Sequence, residues 1–191
     1  MSNKAFLANR WQRSLLLPLG AIGVLVLPGC AELAKQLPFP LNNKVNRSTA
    51  VSVPAQSPSI AQMEKQVHQQ INTIRQKEGL SQLKPNEKLA QVARDYSRKM
   101  AEQNFFSHTS PQGDTMVQRV QSVGIFYSVI GENLFKGTNI PQPAPTAVKG
   151  WMNSPGHRKN ILRSEYRETG IGVWKKGNTY YFTQLFMRSV W

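Results

Sequence analysis

Thr169-Gly170-Ile171-Gly172-Val173-Trp174-Lys175, then Lys176-Gly177-Asn178, then Thr179-Tyr180-Tyr181-Phe182-Thr183-Gln184-Leu185-Phe186-Met187: two runs rich in β-branched and aromatic residues flank a three-residue polar turn. This pattern predicts an antiparallel hairpin. The period upstream is different. Ile60, Met63, Val67, Ile71 and Ile74 recur at helical spacing, with Gly79 behind them as a C-cap. A second helix opens at Asn86, a good N-cap, and carries Leu89, Val92, Ala93, Tyr96 and Met100 on one face. A short third helix is predicted over Thr115 to Val123, stopped by Gly124, and a fourth over Pro145 to Asn153, broken by Pro155-Gly156. Helices followed by strands imply an α+β layering.

The N-terminal 58 residues have another character. Lys4, Arg10 and Arg13 precede an uncharged apolar run from Ser14 to Leu27, the pattern of an export signal. As a helix those fourteen residues would span about 21 Å, short of a hydrocarbon core of about 30 Å. The run ends in Leu27-Pro28-Gly29-Cys30, which resembles a bacterial lipobox and makes Cys30, the single cysteine, the expected lipidation site. Residues 1–30 are therefore read as a signal peptide. Residues 31–58, rich in Pro, Asn, Ser, Gln and Ala, are read as a flexible linker. The remainder, 59–191, is long enough for one buried core.

The chain carries 24 basic and 10 acidic residues, a net charge of +14; without Lys4, Arg10 and Arg13 it is +11. That balance favours anionic partners, and export argues for envelope lipid or wall polymer and against nucleic acid. With its cysteine in the leader, the folded part has neither a disulfide nor a thiolate metal site.

Three segments could carry chemistry: Phe105-Phe106-Ser107-His108-Thr109-Ser110-Pro111 with Gly113-Asp114; Gly131-Glu132-Asn133-Leu134; and Trp151 to Leu162, containing Ser154-Pro155-Gly156-His157-Arg158. Each places one ionisable side chain beside Gly, Pro or a short polar turn, so all three read as site-building loops. Two imidazoles and a carboxylate are a plausible divalent-metal set. His108, Glu132 and His157 lie about 25 residues apart, however, with no short-range ligand motif, and residue types alone favour separate surface or structural residues over a shared site. His68, among Gln and Lys, is expected on an exposed helix face, Asn133 and Asn160 in turn-stabilising roles, and Trp151, Tyr180, Phe182, Phe186 and Trp191 in packing. Arg158, Lys159, Arg163, Arg167, Lys175 and Lys176 read as a solvated basic face able to attract anionic lipid or wall polymer.

In order and content the three segments, followed by Gly170-Ile171-Gly172-Val173, resemble the CAP superfamily, and more closely its cysteine-free bacterial branch of SCP-like extracellular proteins. The resemblance covers most of Ser59 to Phe186. It implies a three-layer α-β-α sandwich around a central antiparallel sheet, with a cleft in which two His and two acidic residues bind a divalent cation in several members. His108, Glu132 and His157 match three of those positions, with zinc as the expected ion. The fourth departs: Ser154 stands where animal and plant members carry Glu, which leaves one carboxylate. Three functions stay open: an extracytoplasmic, membrane-anchored binding module for a lipid or wall-related ligand, a metal-dependent hydrolase, or a structural surface protein.

Overall fold

The computed structural model describes residues 53–190. The expected leader, the lipobox-like Cys30, most of the expected linker and Trp191 lie outside the described residues. Five helices and four strands follow in order: α1 (Pro58–Lys77), β1 (Lys84–Pro85), α2 (Glu87–Glu102), α3 (Met116–Ser122), β2 (Tyr127–Thr138), α4 (Pro143–Asn153), α5 (Pro155–Ile161), β3 (Glu168–Lys176) and β4 (Thr179–Ser189). None of the described helices is long and apolar enough to cross a membrane.

Local chemistry explains the boundaries. Ser57 caps α1 by accepting from the Ile60 N–H, and Asn86 caps α2 through Leu89. Thr115 and Gln118 form a reciprocal capping box on α3. The hairpin forms as expected, with Gly177 at φ +58° in its turn. Pro155 does not simply end the fourth helix. Its missing N–H and fixed φ suit a first turn, so it opens α5 one residue after α4 stops. The last residues of the expected linker are already docked: the Gln56 amide bonds both the N–H and the C=O of Lys175, and the Val53 carbonyl accepts from Arg94.

The sheet order is β1-β3-β4-β2. The expected antiparallel sheet holds for β3-β4-β2, but the two-residue β1 joins β3 in parallel. One face of the sheet packs through Ile171, Val173, Phe182 and Phe186 against α1, α4 and α5, which bring Ile60, Val67, Ile71, Val148, Trp151 and Ile161. The other face packs through Leu185, Met187, Leu134 and Tyr181 against α2 and α3. This is the α-β-α sandwich.

Gly170 and Gly172 let α2 lie directly on β3. A Cβ at Gly172 would sit 2.0 Å from the Arg94 backbone nitrogen, and one at Gly170 2.3 Å from that of Ala90. Ser97 uses this approach, donating to the Gly172 carbonyl at 3.0 Å. Between α1 and α2 the buried Arg94 guanidinium meets Glu64 at 2.9 Å, and Glu64 also accepts the N–H of Val173 on the open edge of β3. Burial opposes the Arg94 charge, but Glu64 and Glu87 hold its pKa above the usual range.

Candidate functional site

The segment Gly131-Glu132-Asn133-Leu134, expected as a turn, runs through the middle of β2, the edge strand on the side away from β1. Alternation sends its side chains to opposite faces of the sheet, and each residue holds a different element. A Cβ at Gly131 would lie 2.1 Å from the hydroxyl of the buried Tyr166, so any larger residue there would displace that ring. The fully buried Asn133 donates to the His157 carbonyl at 3.1 Å and accepts from Asn160 at 2.9 Å. Asn160 also donates to the Glu132 carbonyl at 3.1 Å. Asn160 therefore does not cap a local turn; it sews α5 to β2 and carries His157 with it. The Leu134 carbonyl accepts from the Trp151 indole at 2.9 Å, which fixes α4.

Glu132 is the centre. Its side chain is only 3% exposed, and both oxygens are engaged. Oε1 lies 2.8 Å from His108 Nδ1 and Oε2 accepts from Arg119 at 2.8 Å. A carboxylate only accepts, so His108 carries its proton on Nδ1 and Nε2 is left for a ligand. The His108 side chain is 58% exposed.

Arg119, which the sequence reading overlooked, holds this arrangement. Its side chain is 9% exposed and its guanidinium carbon stands 3.3 Å from the centroid of the Tyr96 ring. Besides Glu132 it donates to the carbonyls of His108 at 3.2 Å and Asp114 at 3.0 Å. Asp114 is itself held by Lys99 at 2.6 Å and by the Ser110 hydroxyl. Burial pushes the Tyr96 hydroxyl up to about 12, so it remains a donor, to the Ser107 carbonyl at 2.6 Å. A signal for Arg119 was present: Met116, Arg119, Val120 and Val123 share the i, i+3, i+4, i+7 stripe of α3, and a charge inside an apolar stripe needs a partner.

His157 is half-buried, and burial first, then the nearby His108, hold its pKa below the ordinary imidazole value. Ser154 sits between α4 and α5 with no side-chain cap. Among the described residues no group of three or more His, Cys, Asp or Glu is arranged to hold a metal ion. Glu132 acts as the group that orients His108, leaving two imidazoles, fewer than the three protein ligands of a catalytic zinc site. In this arrangement the residues do not fit a resident cation.

The other marked residues resolve into structure. His68 is not freely exposed: it is half-buried, with Nε2 2.9 Å from the Leu83 carbonyl and beside Asn72. Trp151, Phe182 and Phe186 are core, and Tyr180 packs against them half-buried. The basic run does not form one face. Arg158 pairs with Glu78 and Arg163 with Glu165, while Arg167 and Lys176 lie at opposite ends of β3.

Residues 68–186 match the sequence model of the cysteine-rich secretory protein family, CAP. The Bacillus subtilis protein YkwD is 39% identical over 140 residues, covering 73% of this chain and 51% of YkwD. YlbC of the same organism, described as a membrane protein, is 38% identical over 125 residues, 65% of this chain and 34% of YlbC. The chain thus spans about half or less of these relatives. Among solved structures, an extracellular SCP-domain protein from Bacillus anthracis superimposes with a TM-score of 0.62 at 30% identity, over 72% of this chain and 45% of that one. An outer surface protein from Borrelia burgdorferi gives 0.62 at 26% identity, over 67% of this chain and 93% of that one.

Proposed function

Because this chain belongs to the CAP family, and because a buried carboxylate turns one exposed imidazole outward at the edge of its sheet, we propose that it is an extracytoplasmic binding module of the cell envelope. The oriented His108 beside Glu132 carries this reading, since it presents one free ring nitrogen in a fixed direction. Relatives described as an extracellular SCP-domain protein, an outer surface protein and a membrane protein support the location. The net charge of +14 suits an anionic lipid or wall polymer as ligand. Cys30 at the end of the apolar leader is the anchor: acylated, it would hold the protein on the membrane, each buried CH₂ adding about 0.8 kcal/mol.

The binding reading is also supported by what surrounds the imidazoles. Among the described residues no hydroxyl or thiol is hydrogen-bonded to His108 or His157; the Ser110 hydroxyl donates to Asp114, and that of Ser107 accepts from the Thr109 N–H. A hydrolase would use the same Glu132–His108 pair as an oriented base, and would need its nucleophile from outside this set.

The purified protein is titrated with anionic and neutral lipid vesicles and with wall-glycan fragments, alongside His108→Gln. Saturable binding that the substitution weakens at least fivefold supports the reading; equal binding by both proteins removes His108 from it. For the anchor, Cys30→Ala should move the protein out of the membrane fraction, and unchanged fractionation would refute acylation.

A further inference from the structure

A carboxylate 3% exposed must have its charge met. In a metal-loaded site a cation would meet it; in this chain a guanidinium already does. Arg119 reaches Glu132 Oε2 at 2.8 Å from a position that is itself closed, 9% exposed, roofed by the Tyr96 ring and tied to two backbone carbonyls on the His108 loop. The two terminal nitrogens of the guanidinium donate to acceptors in three places: the β2 carboxylate, the His108 carbonyl and the Asp114 carbonyl. Its charge and its fork geometry are both used, which a lysine could reproduce only in part.

We propose that Arg119 is the positioning residue of this site: it takes the place of a bound cation at Glu132, and so fixes the His108 imidazole with its Nδ1 proton inward and Nε2 outward without any metal. Two observations converge on this. Glu132 has no oxygen free of a partner. Among the described residues no group of three or more His, Cys, Asp or Glu gathers around Glu132 to hold an ion in place of the guanidinium. Arg119 thus preorganises the face for a ligand that bonds to Nε2 of His108. The inference rests on the His108 face being the functional one, but its test uses no envelope ligand and so fails or succeeds separately.

The chain contains three histidines, so long-range proton–nitrogen spectra of the ¹⁵N-labelled full-length chain in detergent micelles give three imidazole patterns, assigned by His68→Gln and His157→Gln. At neutral pH wild-type His108 should show the Nδ1–H tautomer, and equimolar Zn²⁺ should leave its signals in place. In Arg119→Gln the tautomer should become mixed, and Zn²⁺ should then shift His108 and His157 together, with affinity at least tenfold above wild type. Arg119→Lys, which keeps the charge and guards against loss of folding in the glutamine variant, should retain most of the wild-type tautomer. An unchanged Nδ1–H pattern in Arg119→Gln would overturn the positioning role. Zn²⁺ binding by wild type at His108 and His157 as tight as in the variant would overturn the replacement of the cation.

Discussion

Adding one methyl group at Gly172 should unseat a whole helix. In Gly172→Ala the new Cβ would stand 2.0 Å from Arg94 N, 2.2 Å from Ala93 C and 2.5 Å from Arg94 Cα, all backbone of α2, so no side chain can swing aside. Ordinary contact needs about 3.5 Å, so α2 must retreat from β3 by about 1.5 Å unless the sheet bends with it. A gap of about 0.5–1 Å already forfeits a quarter to a half of the attraction between facing atoms. α2 buries Leu89, Val92, Tyr96 and Met100, which at about 2 kcal/mol each contribute about 8 kcal/mol. Losing a quarter to a half of that gives a destabilisation of about 2–4 kcal/mol. For a domain of this size 1 kcal/mol moves the melting temperature by about 4 °C, so the expected fall is about 8–16 °C. Thermal unfolding followed by circular dichroism reads it directly. Because α2 also carries Tyr96 under Arg119, the His108 loop should lose order well below the melting point. A fall of less than about 2 °C would refute the reasoning, because α2 could then lift off the sheet without loss.

Gly156 is the opposite case: a Cβ there meets nothing within 4 Å, so Gly156→Ala should raise stability by about 0.5–1 kcal/mol in urea unfolding, and a loss would mean that α5 needs this glycine for its backbone. Arg94→Met leaves the buried Glu64 without its cation and should cost about 3–5 kcal/mol, while the double variant with Glu64→Met recovers most of it; equal losses in both would show that the pair contributes packing and not charge. For Asp114, burial alone would raise its pKa, but bonds from Lys99 and Ser110 outweigh it and hold the folded value below the ordinary 3.8. Its contribution is therefore complete above about pH 3.8 and lost as pH falls through the folded value, so Asp114→Asn should flatten the acid limb of the stability profile there, and an unaltered limb would contradict this.

Those parts of the fold governed by local chemistry were legible in the sequence. The cap at Asn86, the stops at Gly79 and Gly124, and the hairpin across Gly177-Asn178 each depend on a few adjacent residues, and each stands where the pattern puts it. The illegible parts depend on partners far along the chain. β1 is two residues long and owes its existence to Arg167 and Thr169, more than 80 residues later. β2 was misread because Gly131, Glu132 and Asn133 are poor strand formers whose polarity suggests a turn. They occupy an edge strand because each has a tertiary partner that overrides propensity: Tyr166, the His108–Arg119 pair, and Asn160.

The same contrast divides the site. His108, Glu132 and His157 were marked as candidates because the motif segments that carry them resemble a family pattern, where residue types alone left them undistinguished. Arg119 was not, because an arginine in a short helix of a chain with 24 basic residues looks like one more surface charge. What distinguishes it is phase. Arg119 lies in register with Met116, Val120 and Val123, and Glu64 lies in register with Ile60, Val67 and Ile71 in the same way. Both charges sit on the buried stripe of an amphipathic helix, and both prove to be paired across elements, Arg119 with Glu132 of β2 and Glu64 with Arg94 of α2. A charged residue in apolar phase is costly unless it has a partner of opposite sign. Where a basic chain offers only 10 acidic residues, the partners are few enough to enumerate. The motif glutamate, already marked by its place between Gly131 and Asn133, is then the natural candidate for the arginine of α3.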